Sequence, residues 1–96
     1  MQFIVIAHDH KDEQALERRL AVRKEHLEFA AKMFEEERWV FASALIDEKG
    51  NMNGTVIGCE YDSEEELRDK WLEKEAYVKG DVWKEIIIRK AKFAKH

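Results

Sequence analysis

The chain has 96 residues, of which 45% are hydrophobic and 40% are charged. This composition excludes a disordered chain and is enough for one core, so we expect a single domain over residues 1–96. The 17 basic and 21 acidic side chains give a net charge of -4, which provides no long-range attraction to phosphate backbones or anionic lipids. Nucleic acid and membranes are therefore not expected as partners.

The apolar runs are short and the chain has one cysteine, Cys59. No run approaches the ~20 residues that cross a bilayer, and no signal peptide is expected at the start. A single cysteine can form neither an internal disulfide nor a thiol cluster for a metal. We therefore predict a cytoplasmic protein in which Cys59 is a packed, inert thiol.

The first strand is predicted over Gln2–Ala7, where β-branched and aromatic residues lead into a polar loop. A long helix is predicted from about Glu13 to Glu37, because apolar side chains then recur at spacings of three, four and seven. Arg23 falls almost within this apolar stripe, so its guanidinium is predicted to face the sheet. The stripe consists of Leu16, Leu20, Leu27, Ala30 and Phe34.

Two further strands are predicted over Trp39–Ile46 and Thr55–Tyr61. The glycines and asparagines between them tolerate the positive φ of tight turns, so these strands should form an antiparallel hairpin. Within the second strand, Gly58 indicates either a bulge or the close approach of another backbone or of a ligand. We expect the three tryptophans of the chain to lie in the core or in an interface.

Ser63 and Glu66 have capping-box spacing, which predicts a second helix from Glu64 to about Lys74. An irregular segment over 77–83 precedes a last strand around Ile86–Ile88, and residues 90–96 form a basic tail. The order βαββαβ predicts a ferredoxin-like α+β fold, in which a four-stranded antiparallel sheet carries both helices on one face.

Both faces of this sheet are predicted to be apolar. Alternation along the first strand sends Phe3, Val5 and Ala7 to one side and Ile4 and Ile6 to the other. Because two helices cover only one face, we predict a homodimer packed sheet to sheet. The alternative is that the tail or a loop of the same chain covers the second face.

Candidate functional residues cluster on the long helix, where Arg19, Arg23 and His26 are spaced i, i+4 and i+7 and share a face. His26 can transfer protons near neutral pH if another group fixes its tautomer. Arg23 either forms an internal ion pair or binds a substrate anion. Asp9, at the end of the first strand, could orient His26 or pair with Arg23.

His8 and His10 flank Asp9, which suggests a metal site as an alternative to a polar loop. Residues two apart share a face only in an extended strand, so we predict no metal there.

The stretch Arg23-Lys24-Glu25-His26-Leu27, preceded by Leu20, resembles the Arg-x-x-His-Leu motif of the YciI-like (YCII-related) family. Ala7-His8-Asp9 is similar to the end of that family's first strand, and Thr55-Val56-Ile57 to its third-strand pattern. The resemblance implies a ferredoxin-like fold that pairs into a dimeric α/β barrel. It also implies a pocket, lined by a His and an Asp, that has been proposed as an active site.

The chain departs from this family where Asp-Pro-Tyr is expected, because the matching residues are Glu75-Ala76-Tyr77. The added methylene and the missing proline could move the carboxylate relative to His26. We predict catalytic roles for His26, Asp9 and Glu75, with no cofactor. The residues predicted to contact the substrate are Arg23, His8, Ser43 and Tyr77.

Three functions stay open. In the first, His26 with Asp9 or Glu75 moves a proton on a small anionic or aromatic substrate, as in an isomerase or a lyase. In the second, a non-catalytic dimeric module binds a small molecule or regulates a partner. In the third, the same residues form a polar network with no ligand.

Overall fold

The computed structural model describes residues 1–94, which form one sheet and a layer of helices. The strands are β1 (Gln2–Asp9), β2 (Trp39–Ile46), β3 (Met52–Glu60) and β4 (Trp83–Ala91). The α-helices are α1 (Ala15–Glu35), α2 (Glu64–Lys70) and α3 (Ala76–Lys79), with a 3-10 helix at Leu72–Lys74 between the last two. Within residues 1–94, no helix is long and apolar enough to span a membrane.

The sheet order is β2-β3-β1-β4, and every neighbouring pair is antiparallel. This is the predicted ferredoxin-like arrangement, which is confirmed. β4 is much longer than predicted, and the second helix is shorter. Trp71, with φ -120° and ψ -69°, ends α2. The chain then turns inward, so that Trp71, Leu72 and Tyr77 are buried rather than arranged along one helix face.

The core lies between the sheet and the helices. Its sheet side includes Phe3 and Val5 of β1 and Ile57 and Cys59 of β3, all at most 1% exposed. The three tryptophans, Trp39, Trp71 and Trp83, are buried in the core as predicted. The ring of Trp71 lies between the other two and contacts both. Burial raises the pKa of the Cys59 thiol to about 12, which agrees with the prediction of an inert cysteine.

No helix of residues 1–94 covers the opposite face of the sheet. Its side chains are largely apolar, and those at its centre are half-buried: Ile4, Ile6, Val56 and Ile87. Phe41 packs its ring over Gly58, where a Cβ would collide with the ring, and Val40 forms a bulge beside it. Gly58 therefore lies opposite a bulge, and the group that approaches it closely is the Phe41 side chain rather than a backbone or a ligand.

The segment after β4 covers part of this open face. Phe93 stacks edge-on against Phe41 with ring centroids 5.7 Å apart, and its backbone N–H donates to Gln2 Oε1 at 2.6 Å. The predicted basic tail is thus partly packed, up to the end of the described residues; its last two residues, 95 and 96, lie outside them.

The predicted apolar stripe of α1 is wrong at three of its five positions. Leu20, Leu27 and Phe34 are 53%, 45% and 42% exposed, and Arg23 is also exposed instead of facing the sheet. Ala30 is buried as predicted and Leu16 is half-buried. The buried face consists of Ala15, Arg19, His26, Ala30 and Met33. Two polar side chains can occupy this face because each meets a carboxylate there, so that neither is buried without a partner.

Candidate functional site

Glu75 is held in place by the turn that connects the 3-10 helix to α3. It is fully buried, and its extended backbone (φ -69°, ψ 124°) makes it the N-cap of α3. Its Oε2 accepts the backbone N–H of Tyr77 at 3.2 Å, and its Oε1 accepts the indole N–H of Trp71 at 3.0 Å. Two fixed donors therefore set the position of this carboxylate before any third partner is considered.

His26, in the middle of α1, is that third partner. Its Nδ1 lies 2.8 Å from Glu75 Oε2, and the two side chains are 8% and 0% exposed. A carboxylate can only accept, so Nδ1 carries the proton, and in the neutral ring Nε2 is left as the acceptor. Within residues 1–94, Nε2 has no hydrogen-bond partner and is not among the polar atoms sealed from solvent.

Aromatic rings fix the plane of the imidazole. Tyr77 stacks on His26 with centroids 4.0 Å apart and planes 15° from parallel, while Trp39 and Trp83 lie at 5.9 and 6.5 Å. Burial raises the pKa of Tyr77, so its hydroxyl remains protonated at neutral pH and can donate a hydrogen bond. In the described part of the chain that hydroxyl also has no partner and is not sealed.

A buried ion pair lies on the other side of Tyr77. Arg19 Nη1 donates to both oxygens of Asp9 at 3.0 Å, and Nη2 donates to Thr55 Oγ1 at 2.8 Å. The Arg19 Cζ is 4.6 Å from the Tyr77 centroid. Positions 19 and 26 are about 10 Å apart along a helix, so the Tyr77 ring is inserted between Arg19 and His26.

This pair leaves some hydrogen-bonding capacity unused. Arg19 is 2% exposed, yet no residue in 1–94 accepts from its Nε. Burial, which is only partly offset by Arg19, raises the pKa of Asp9. Asp9 also lines an open cleft of ~630 Å³ between the loop before α1 and the β2–β3 turn. His26 does not line this cleft.

The structure brings together only some of the predicted site residues. His26, Glu75 and Tyr77 are in contact, whereas Asp9 pairs with Arg19 and not with His26 or Arg23. Arg23 is exposed, so the prediction that its guanidinium faces the sheet is wrong, whereas its contact with a substrate stays a prediction.

His8 and Ser43 are exposed and point to the open face of the sheet, on the side opposite to His26. His10 pairs with Asp81 at 3.0 Å. No group of three or more metal-ligating side chains occurs in the part of the chain that the structure describes.

The sequence analysis did not identify Arg19 as the partner of Asp9. It also did not identify Thr55 as a hydrogen-bond partner of Arg19, or Trp71 as a hydrogen-bond donor to Glu75. One signal was available for Arg19. The alternation that buries Phe3, Val5 and Ala7 also buries Asp9, and a buried carboxylate requires a cation or donors.

Solved structures share this fold over nearly their whole length. The 5-chloro-2-hydroxyhydroquinone dehydrochlorinase TftG from Burkholderia phenoliruptrix AC1100, in complex with 2,5-dihydroxybenzoquinone, is 16% identical with a TM-score of 0.83, over 98% of this chain and 96% of that one. A dimeric ferredoxin-like protein from an uncultured marine organism is 18% identical with a TM-score of 0.52, over 100% and 97%. A protein from Agrobacterium tumefaciens is 14% identical with a TM-score of 0.54, over 99% and 95%.

At such identities these structures support the fold alone. No curated protein matches the chain by sequence. The model of the YCII-related domain matches residues 1–92, which is almost the whole chain, including all four strands and the His26–Glu75 pair. The chain therefore belongs to the YCII-related family.

Proposed function

We propose that this protein is a cofactor-independent enzyme of isomerase or lyase type, in which Nε2 of His26 removes a proton from a small, hydroxylated aromatic or quinonoid substrate. The observation that carries this proposal is the buried 2.8 Å contact between His26 Nδ1 and Glu75 Oε2, together with an Nε2 that has no hydrogen-bond partner among residues 1–94. A base requires this arrangement, with one nitrogen oriented and the other free.

Glu75 performs two tasks in this proposal. It holds the imidazole in the Nδ1–H tautomer, and its negative charge stabilises the imidazolium that forms when Nε2 accepts a proton. The hydrogen bonds from Trp71 and Tyr77 keep the carboxylate in place, so no reorganisation is needed during proton transfer. General base catalysis of this kind contributes about 10²–10⁴-fold.

The substrate class follows from the surroundings. Aromatic side chains line His26, and the Tyr77 hydroxyl offers a donor for an oxygen that becomes negative when the substrate loses its proton. The TftG structure supports a compound of this class, since it holds a dihydroxylated benzoquinone in the same fold. Arg19 lies on the other side of Tyr77 with its charge paired to Asp9, and we keep Arg23 as the candidate for binding a substrate anion.

The family's Asp-Pro is replaced here by Glu75-Ala76, and the sequence alone does not show whether the Glu75 carboxylate reaches His26. The longer Glu75 side chain reaches Nδ1 at 2.8 Å, so the geometry that the reaction needs is available in this chain. This supports a working pair.

A second candidate is a binding module without catalysis. It is favoured by the closure of the site, because the His26 side chain is only 8% exposed and the Tyr77 residue 1%. In that case the pair recognises a ligand, or it is only a polar network in the core.

We also propose that the protein works in the cytoplasm as a homodimer. The half-buried apolar side chains of the open sheet face would form the contact, with Phe41 and Phe93 at one edge. The dimeric ferredoxin-like neighbour supports this assembly.

Hydrogen exchange tests the proposed chemistry without knowledge of the natural substrate. In D2O, addition of a deuteron to a ring C–H carbon of 2,5-dihydroxybenzoquinone gives a keto tautomer in which that carbon carries both H and D. A base that removes the original proton from this carbon restores the quinone with deuterium in the ring, and proton NMR follows the loss of the ring signal. We expect the protein to accelerate this exchange and His26→Ala to reduce the acceleration by about 10²-fold or more. Glu75→Gln should reduce it as well.

Glu73→Gln is the matched control, because Glu73 is exposed and lies only two residues from Glu75. It should exchange like the unmodified protein. Binding of the quinone without any acceleration would favour the non-catalytic module. Acceleration that persists in His26→Ala would remove His26 from the proposed mechanism.

A further inference from the structure

A second apolar surface lies on the flank of α1. Leu20, Leu27 and Phe34 recur every seven residues and are all more than 40% exposed. Ala31 lies between the last two on the same side. A shallow groove along this flank is lined by Leu20, Arg23, Lys24, Leu27, Glu28 and Ala31. This repeat supplies one of the two apolar positions per heptad through which helices pack against each other.

We propose that this flank of α1 binds the same flank of a second copy of the chain, with the two helices antiparallel and a twofold axis at Leu27. In that arrangement Leu27 meets its own counterpart. Leu20 lies seven residues before Leu27 and Phe34 lies seven after it. Leu20 of each copy therefore packs against Phe34 of the other copy, once at each end of the helix pair. The three exposed apolar side chains of each helix are thereby covered.

The charges on this flank select the antiparallel arrangement. Lys24 and Glu28 lie on one side of the stripe, with Nζ and Oε1 4.0 Å apart and side chains 90% and 66% exposed. In the antiparallel pair, Lys24 lies only about 3 Å along the axis from Glu28 of the second copy. Two lysines and two glutamates then alternate in one cluster. In a parallel pair Lys24 would instead face Arg23 of the second copy, which is repulsive.

The geometry of α1 leaves room for this contact. The apolar flank lies about 100° around the helix from the buried face that carries Arg19 and His26. It therefore faces sideways from the helix layer rather than toward the sheet. The open face of the sheet is on the other side of the domain, so the helix contact does not depend on that face or on the His26–Glu75 chemistry.

Light scattering during gel filtration tests the proposal. Leu27→Glu buries two like charges at the twofold axis, so we expect its mass to be half that of the unmodified protein at the same micromolar concentration. Ala21→Glu places the same charge on an exposed position of α1 outside the stripe and should leave the mass unchanged. Equal masses for Leu27→Glu and the unmodified protein would overturn the proposal.

Charge reversal and cross-linking test the orientation. Lys24→Glu should weaken the association, and Lys24→Glu with Glu28→Lys should restore it. Leu27→Cys should form a disulfide between copies on mild oxidation, whereas Ala21→Cys should not. Cys59 is 0% exposed and gives no background. Failure of Leu27→Cys to cross-link would contradict a twofold axis at that residue, even if Leu27→Glu proved to be misfolded.

Discussion

Two histidine–carboxylate pairs in this molecule have the same chemistry and different surroundings. His26 and Glu75 are 2.8 Å apart with side chains 8% and 0% exposed, whereas His10 and Asp81 are 3.0 Å apart with side chains 30% and 78% exposed. The distances hardly differ. What differs is how firmly each partner is held, and that determines whether a pair can orient a base.

The buried pair is fixed on both sides. Glu75 accepts from Trp71 and from the Tyr77 backbone, and the Tyr77 ring stacks on the imidazole. Asp81 lies in a loop with φ 55° and is open to solvent, so water competes for both partners of the surface pair. The comparison shows that burial and additional donors, rather than the contact itself, make a candidate catalytic pair.

Among the buried contacts, we expect loss of the Arg19–Asp9 ion pair to lower the free energy of unfolding most. Arg19→Met leaves Asp9 buried without its cation, which should lower the free energy of unfolding by about 3–5 kcal/mol. Arg18→Met is the matched control, since Arg18 pairs with Asp12 at 2.8 Å on the surface and its loss should change little. Urea unfolding measures the free energy of unfolding of both variants. Equal losses would contradict our claim that the buried pair stabilises the fold more than the surface pair.

The two histidines provide the next test. His26→Ala removes a stacked ring and one donor to Glu75, so we expect the free energy of unfolding to fall by about 2–4 kcal/mol. His10→Ala should cost less than about 1 kcal/mol, because its partner is exposed. Denaturant midpoints at constant slope are the measurement. If His10→Ala lowered the free energy of unfolding more than His26→Ala, the claim that the buried pair is the more firmly held would be contradicted.

A smaller effect on the free energy of unfolding is expected at high pH from Cys59, whose pKa is raised by burial. Its pKa is raised to about 12 in the folded protein, above the ordinary value near 8.5–9. The unfolded chain therefore loses this proton first, and stability falls as pH rises above about 9. At pH 10 the loss should be about 1–2 kcal/mol. Cys59→Ala should lose less stability between pH 8 and pH 10, and an unchanged slope would contradict this assignment.

The order of elements was predictable from local patterns. The hairpin β2–β3 and the start of α2 follow from residues close in sequence, such as Ser63, whose Oγ accepts the Glu66 N–H at 3.0 Å. The short helix α3 was not predictable, because it exists where Glu75 turns inward to meet Trp71 and His26. Those contacts depend on packing rather than on spacing.

The face of α1 was predicted incorrectly for a physical reason. The hydrophobic periodicity of α1 predicts burial of Leu20, Leu27 and Phe34. It contains no information about the carboxylates that other elements place against the helix. Asp9 and Glu75 favour burial of Arg19 and His26, and the leucines turn outward. His26 was recognised from its motif, while its partner remained open between Asp9 and Glu75 because 49 residues separate His26 from Glu75.

The tautomer of His26 is the most direct test of the account. Nitrogen-15 NMR of the imidazole rings at about pH 8 distinguishes a protonated Nδ1 from a protonated Nε2, with His10 as an internal reference. We predict that the neutral His26 ring carries its proton on Nδ1 and that Glu75→Gln removes this preference. A His26 ring protonated on Nε2 in the unmodified protein would contradict its assignment as the base.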